Sequence, residues 1–377
     1  MEKTVISTRQ SICTIILFIL GSSIILGIGK EANRDIWISI IMGIIIGLFI
    51  VIVYSRILSR FPNKNLFDIL LIIYGNYIGR LFCLIYIFYS FYLAALVLVN
   101  YSMFISIIGL EFTPQIVVSF VFIILVINGV KKGIEVLGRW AEFFTRFLYP
   151  IIIIIVISML TMVNVNNLSP ILSDGFMPVM DGAITLITFP FAELIIFTMI
   201  FKSKTVIKNN VYKVFILGLI FGGIIILITT TSAYLCLGPF AYNSSYFPIY
   251  SAVSRINIKD IFQRVEIVLA VSFILGGFLK ISLCILGCCN GIVSFMNLKD
   301  YKFLVTPIGL IVLVASLTTY RSIIEMIEGI NSFKYIAIFV QIILPLTLLI
   351  TIEIKFKIEK RKNKLYRNGD LNEGSNN

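Results

Sequence analysis

The amino-acid sequence predicts an all-α polytopic membrane protein with about ten transmembrane helices, each apolar run being long enough to cross roughly 30 Å of hydrocarbon. Of the 377 residues, 59% are hydrophobic and only 13% are charged. The mean hydropathy is +1.02, and a soluble domain needs far more polar surface than this. Two of the runs are interrupted, at 21–23 and at 189–193, in matching places of the two halves of the chain. That pattern points to a transporter-type binding site at the membrane midplane.

Hydropathy sets the spans at about 12–29, 36–55, 81–109, 115–130, 143–163, 179–201, 213–237, 264–295, 303–319 and 334–354. No small-residue cleavage site follows the weakly basic start, so Ile12 onward reads as a retained first helix. Between the second and third spans, Leu66, Phe67, Leu70, Leu71, Tyr74 and Ile78 recur at helical spacing. This predicts an amphipathic helix along the cytoplasmic interface. The eighth span is long enough to tilt or to extend past the bilayer. Residues 358–377 carry too little apolar content to pack, so a disordered tail is expected after a membrane domain of 1–357.

The net charge of +12 does not read as a nucleic-acid footprint. Its basic residues gather at span ends and in 355–367, as anchors and contacts for an anionic lipid bilayer do. Lys3, Arg9, Arg56, Arg60, Lys64, Arg80, Lys131, Lys132 and Arg139 would lie on one side. Lys202, Lys204, Lys208, Lys213, Lys299, Lys302 and the basic C-terminus would join them there. Arg255, Lys259, Arg264 and Arg321 depart from this rule, which otherwise puts both termini in the cytoplasm.

The chain has no histidine and six cysteines. Those cysteines sit in apolar runs without zinc-type spacing and read as small buried residues. No nucleophile–base pair, phosphate-cradling loop or metal cluster stands out, so neither catalysis nor a cofactor is implied.

At Gly21-Ser22-Ser23, small residues let a helix open, and freed N–H groups at the start of a second half-helix would attract a ligand carboxylate. Close helix packing explains the same residues. At Phe189-Pro190-Phe191-Ala192-Glu193, the proline removes a donor and the carboxylate is costly at membrane depth. Phe189 and Phe191 are candidate pocket walls; alternatively, Pro190 makes a plain kink and Glu193 secures packing. Lys280 lies deep in the eighth span and needs a partner. It would contact a ligand carboxylate, pair with Glu193 or stand where related transporters hold a cation, unless it snorkels to the interface. Cys284 shares its helix face. Glu142 and Arg146 form an i, i+4 structural ion pair.

Several stretches together resemble the endospore germination permease family, the B subunits of spore germinant receptors within the amino acid/polyamine/organocation transporter superfamily. They are Thr8-Arg9-Gln10 leading into Leu20-Gly21-Ser22-Ser23-Ile24; Phe61-Pro62 with Leu66-Phe67 and Gly75 and Gly79; and Gly133-Ile134-Glu135 with Gly138-Arg139. The 166–172 stretch Asn-Asn-Leu-Ser-Pro-Ile-Leu, Phe189–Glu193 and Asn290-Gly291 complete the set. The first span ends in Gly27-Ile28-Gly29, where relatives often carry a proline.

The resemblance implies two inverted five-helix repeats (LeuT/APC-like) with the first and sixth helices unwound at the centre. It adds Ile24, and a stripe of Tyr89, Leu93 and Val97 on the third span, to the expected pocket. It also implies an A subunit and a C lipoprotein subunit as partners, the spore inner membrane as location, and a small nutrient, such as an amino acid, as ligand. Three functions fit: a nutrient-sensing subunit, a proton- or cation-coupled amino acid symporter, and a structural partner with a degenerate pocket.

Overall fold

The computed structural model of the chain describes residues 6–202, 210–256, 264–320 and 322–373. Lys3, Lys204, Lys208, Lys259 and Arg321 lie outside them. The helices are α1 (Thr8–Ser23), α2 (Ile36–Arg60), α3 (Leu66–Ile108), α4 (Gln115–Lys132) and α5 (Ile134–Met159). The chain continues with α6 (Met177–Leu186), α7 (Ile195–Ile200), α8 (Val211–Ser244), α9 (Pro248–Val253) and α10 (Val265–Met296). It closes with α11 (Lys302–Thr319), α12 (Ile323–Ala337) and α13 (Leu344–Glu373).

Among the described residues, nine helices are long and apolar enough to span a membrane. The tenth expected span is the first, which falls short because α1 stops after 16 residues. Its start is fixed by a reciprocal cap. Ser7 Oγ accepts from the Gln10 N–H, and Gln10 Oε1 accepts from the Ser7 N–H, both at 3.1 Å, satisfying two donors that a helix start leaves open. The amphipathic stretch forms the first turns of α3, set off from the span by Gly75 at φ +76°, a left-handed conformation that glycine adopts without strain.

Two boundaries differ from the sequence reading. α5 begins nine residues before the expected 143. The Arg139–Glu135 and Arg146–Glu142 pairs (3.7 and 2.7 Å) support a helix reaching beyond the apolar stretch. The tail expected to be disordered is helical as far as Glu373. Lys, Glu, Arg and Leu extend an existing helix readily, because the costly nucleation step is already complete.

The core is built around the two interrupted spans. α1 packs on α5, α8 and α10, while α3 runs along α10 and α2 along α8. In the most apolar stretch of the sixth span 89% of the residues are buried, against 33% in α11 at the periphery. Apolar side chains such as Phe49, Phe88, Ile153 and Val314 face outward, as a lipid-facing surface requires.

Candidate functional site

The sixth span breaks where Pro190 requires it. α6 ends at Leu186, a π-turn covers Ile187–Phe191 with Phe189 extended (φ −150°, ψ 109°), and a 3-10 turn at Ala192–Leu194 leads into α7. A break at this depth leaves carbonyls that must be satisfied inside the protein. Gln341 Nε2 donates to the Thr188 carbonyl at 3.1 Å and to the Tyr89 hydroxyl at 2.6 Å. The Tyr54 hydroxyl lies within bonding distance of the Ala192 carbonyl (3.0 Å) and the Gln341 carbonyl (2.6 Å). All three side chains are buried.

Gln341 sits in a π-turn, Ile338–Ile343, between α12 and α13. Neither it nor Tyr54 stands out in the sequence reading. The available signal is a single amide within the apolar run 334–354, where a polar side chain needs a partner.

Lys280 on α10 meets the break. Its Nζ is 2.5 Å from Glu193 Oε2, and both side chains are 0% exposed. The ammonium also lies 4.9 Å from the Phe18 ring centroid and 4.8 Å from that of Phe189, close enough for cation–π attraction. This is the ion-pair alternative for Lys280. Full burial removes the snorkelling one. Opposite charges at this depth offset each other's desolvation only when held in good geometry, and here the second carboxylate oxygen, Oε1, has no hydrogen-bond partner among the described residues.

A narrow cavity of about 40 Å³ lies beside the break. Leu93, Val97, Phe189 and Glu193 line it, joined by Leu26, Asn100 and Phe333. Asn100 is 9% exposed and its Oδ1 has no partner among the described residues; it too is a single amide in an apolar span.

The remaining candidates lie elsewhere. Gly21 faces Gly276, where a Cβ would come 2.8 Å from the Gly276 carbonyl oxygen, so it serves close contact between α1 and α10. Ser22 is buried, Ser23 bonds back to the Ile19 carbonyl, and the Ile24 N–H donates to Leu20 O at 3.1 Å. The expected second half-helix after them does not form. Residues 24–29 are irregular, Gly29 takes φ +81°, and a six-residue 3-10 segment follows at Lys30–Asp35. Two glycines in 27–29 weaken helix continuation there.

Phe191 packs against Gly43 and Gly47 of α2 and fills the core rather than walling the cavity. Pro190 and Ala192 are buried within the break. Cys284 is buried one turn beyond Lys280 and outside the cavity lining, its carbonyl accepting from Ser90 Oγ at 2.7 Å.

A helical bundle with broken first and sixth spans and a buried ion pair at the second break defines a permease-type membrane protein. The fold agrees with that of Mhp1, a nucleobase-cation-symport-1 family transporter solved in a closed conformation with bromovinylhydantoin bound. The TM-score is 0.68 at 13% identity, over 91% of this chain and 77% of that one.

The family model described as Spore germination protein matches residues 5–324, and the chain belongs to the spore germination permease family. It is 32% identical to spore germination protein KB of Bacillus subtilis (strain 168), over 97% of this chain and 98% of the relative. It is 24% identical to the putative spore germination protein YfkT of the same strain, over 86% and 89%. With spore germination protein XB of Bacillus anthracis the identity is 25%, over 68% and 71%.

Proposed function

We propose that this chain is the membrane-embedded B subunit of a spore germinant receptor, and that it binds a small nutrient in the cavity beside Glu193. The observation that carries the reading is the unequal use of that carboxylate. Lys280 engages Oε2, while Oε1 is left as an acceptor in a side chain bordering a largely apolar cavity. A buried acceptor without a partner is costly. An ammonium group supplies the missing donor, and Leu93, Val97 and Phe189 accommodate an apolar side chain. An amino acid with an apolar side chain combines both features.

Ligand binding would favour one arrangement of the spans around the sixth-span break. An A subunit and a C lipoprotein, acting with this chain in the spore inner membrane, would pass that shift on. Both termini would lie in the cytoplasm. In this reading Gly21, Ser22, Ser23 and Ile24 support α1, and Lys280 holds Glu193 Oε2 in place.

The test is a thermal-shift panel of amino acids on the purified chain, repeated with Glu193→Gln. Stabilisation of the wild type by a subset with apolar side chains, lost in the variant, is expected. An unchanged response in Glu193→Gln would remove Glu193 from the site. The transporter fold favours a second reading, a symporter using the same cavity. Sustained, gradient-driven accumulation of a labelled amino acid in proteoliposomes would establish transport and end the pure-sensor reading.

A further inference from the structure

Away from the nutrient cavity, a cleft of about 450 Å³ opens between α1, α5 and α8. Three cations line it, Arg9, Arg146 and Lys213, together with the apolar side chains Ile12, Ile16 and Phe221. The cations occupy the mouth. Arg9 is the second residue of α1 and Lys213 the third of α8. Ile16 and Phe221 follow seven and eight residues later on those helices, roughly 11–12 Å further along at 1.5 Å per residue. Charge at one end, and at the other the exposed Phe221 ring with Ile16 buried behind it, make an amphipathic slot.

The charge is also unbalanced. Glu142 pairs with Arg9 at 3.3 Å and with Arg146 at 2.7 Å, and among the described residues Lys213 makes no ion pair. Two cations therefore share one carboxylate and the third has none among the described residues. Basic pockets between membrane helices hold anionic headgroups by this charge pattern.

We propose that this cleft binds an anionic phospholipid. Arg9, Arg146 and Lys213 would hold the phosphodiester headgroup, and one acyl chain would lie along Ile12, Ile16 and Phe221. Free phosphate offers the same headgroup chemistry, but it has no use for the apolar half of the slot. The lipid would bridge the entrance of α1, the helix that ends at the first break, to α5 and α8.

Native mass spectrometry of the full-length protein in detergent tests this. Phosphatidylglycerol, phosphatidylcholine of the same chain length and inorganic phosphate are supplied in turn. Phosphatidylglycerol should be retained as a discrete adduct, phosphatidylcholine should not, and millimolar phosphate should fail to displace the lipid. Lys213→Gln, which breaks no ion pair, should weaken retention about fivefold, the effect of one cation near an anionic headgroup. Lys213→Arg should restore it, and Phe221→Ala should weaken retention without any change of charge.

Equal retention of the two lipids would overturn the proposal, as would full retention by Lys213→Gln. Displacement by phosphate would assign the cleft to a soluble anion and overturn the lipid. Nutrient binding enters none of these readouts, so this proposal and the function of the central cavity fail separately.

Discussion

The first and sixth spans carry similar interruptions in sequence and resolve them differently. At the first, small residues permit close approach. Gly21 lies against Gly276, Ser23 returns its hydroxyl to its own helix, and the chain leaves α1 without a second α-helical half. At the sixth, proline compels the opening, the Thr188 carbonyl is met by Gln341 from another span, and Tyr54 reaches the Ala192 carbonyl, which also accepts from the Ile195 N–H. The first interruption draws its side-chain bond from its own helix, whereas the second draws side chains from other spans. A break held by remote side chains senses the position of the elements that supply them. The sixth span therefore supplies Phe189 and Glu193 to the cavity wall, and the first adds Leu26 beyond its packed end.

The sharpest way to break this contrast is to unbalance the ion pair. Glu193→Ala or Lys280→Ala leaves one buried charge unpaired, which should cost about 3–5 kcal/mol. The double variant Glu193→Gln/Lys280→Met should recover much of that loss in thermal unfolding in detergent. A single variant as stable as the wild type would mean that water reaches the pair.

The matching test at the first span is Gly276→Ala, whose new Cβ would sit 2.8 Å from Gly21 Cα. Overpacking of this kind costs about 1–3 kcal/mol, and ligand preference should stay unchanged. Unchanged stability with lost nutrient binding would instead make the first break part of the site.

Much of the fold is legible in the sequence because a bilayer imposes a simple rule: apolar runs of fixed length must be helices. Pro190 marks its break to the residue because a missing donor is a local property. The Lys280–Glu193 pair is open to anticipation because opposite charges buried among apolar residues need each other. Gln341, Tyr54 and Asn100 are harder to place. A lone polar residue announces that it needs a partner but not which helix supplies one. The absence of a half-helix after Ser23 is hidden for another reason. Residues 24–29 keep a high apolar content, and hydropathy does not register that Gly29 adopts a left-handed conformation.

Gln341→Leu probes the remote support of the sixth span. It removes the amide donors to Thr188 and Tyr89, and leaving those buried groups short of partners should cost about 2 kcal/mol. Gly276→Ala and Gln341→Leu should therefore destabilise by similar amounts, but only Gln341→Leu should also weaken ligand binding. Equal binding losses in both would mean that the two breaks move as one unit.

The smallest effect expected is on selectivity. Val97→Ala removes two methyl groups from the cavity wall facing the sixth break, each carbon of apolar surface being worth about 0.8 kcal/mol. Relative affinity should shift toward amino acids with one more side-chain carbon by about 1 kcal/mol, roughly fivefold. The readout is a ratio of affinities on one protein, so any general loss of stability cancels. Ser22→Ala, at the first break, should leave the same ratio unmoved, since Ser22 is buried outside the cavity lining. A shift in the ratio with Ser22→Ala but not with Val97→Ala would transfer the specificity wall from α3 to the first span.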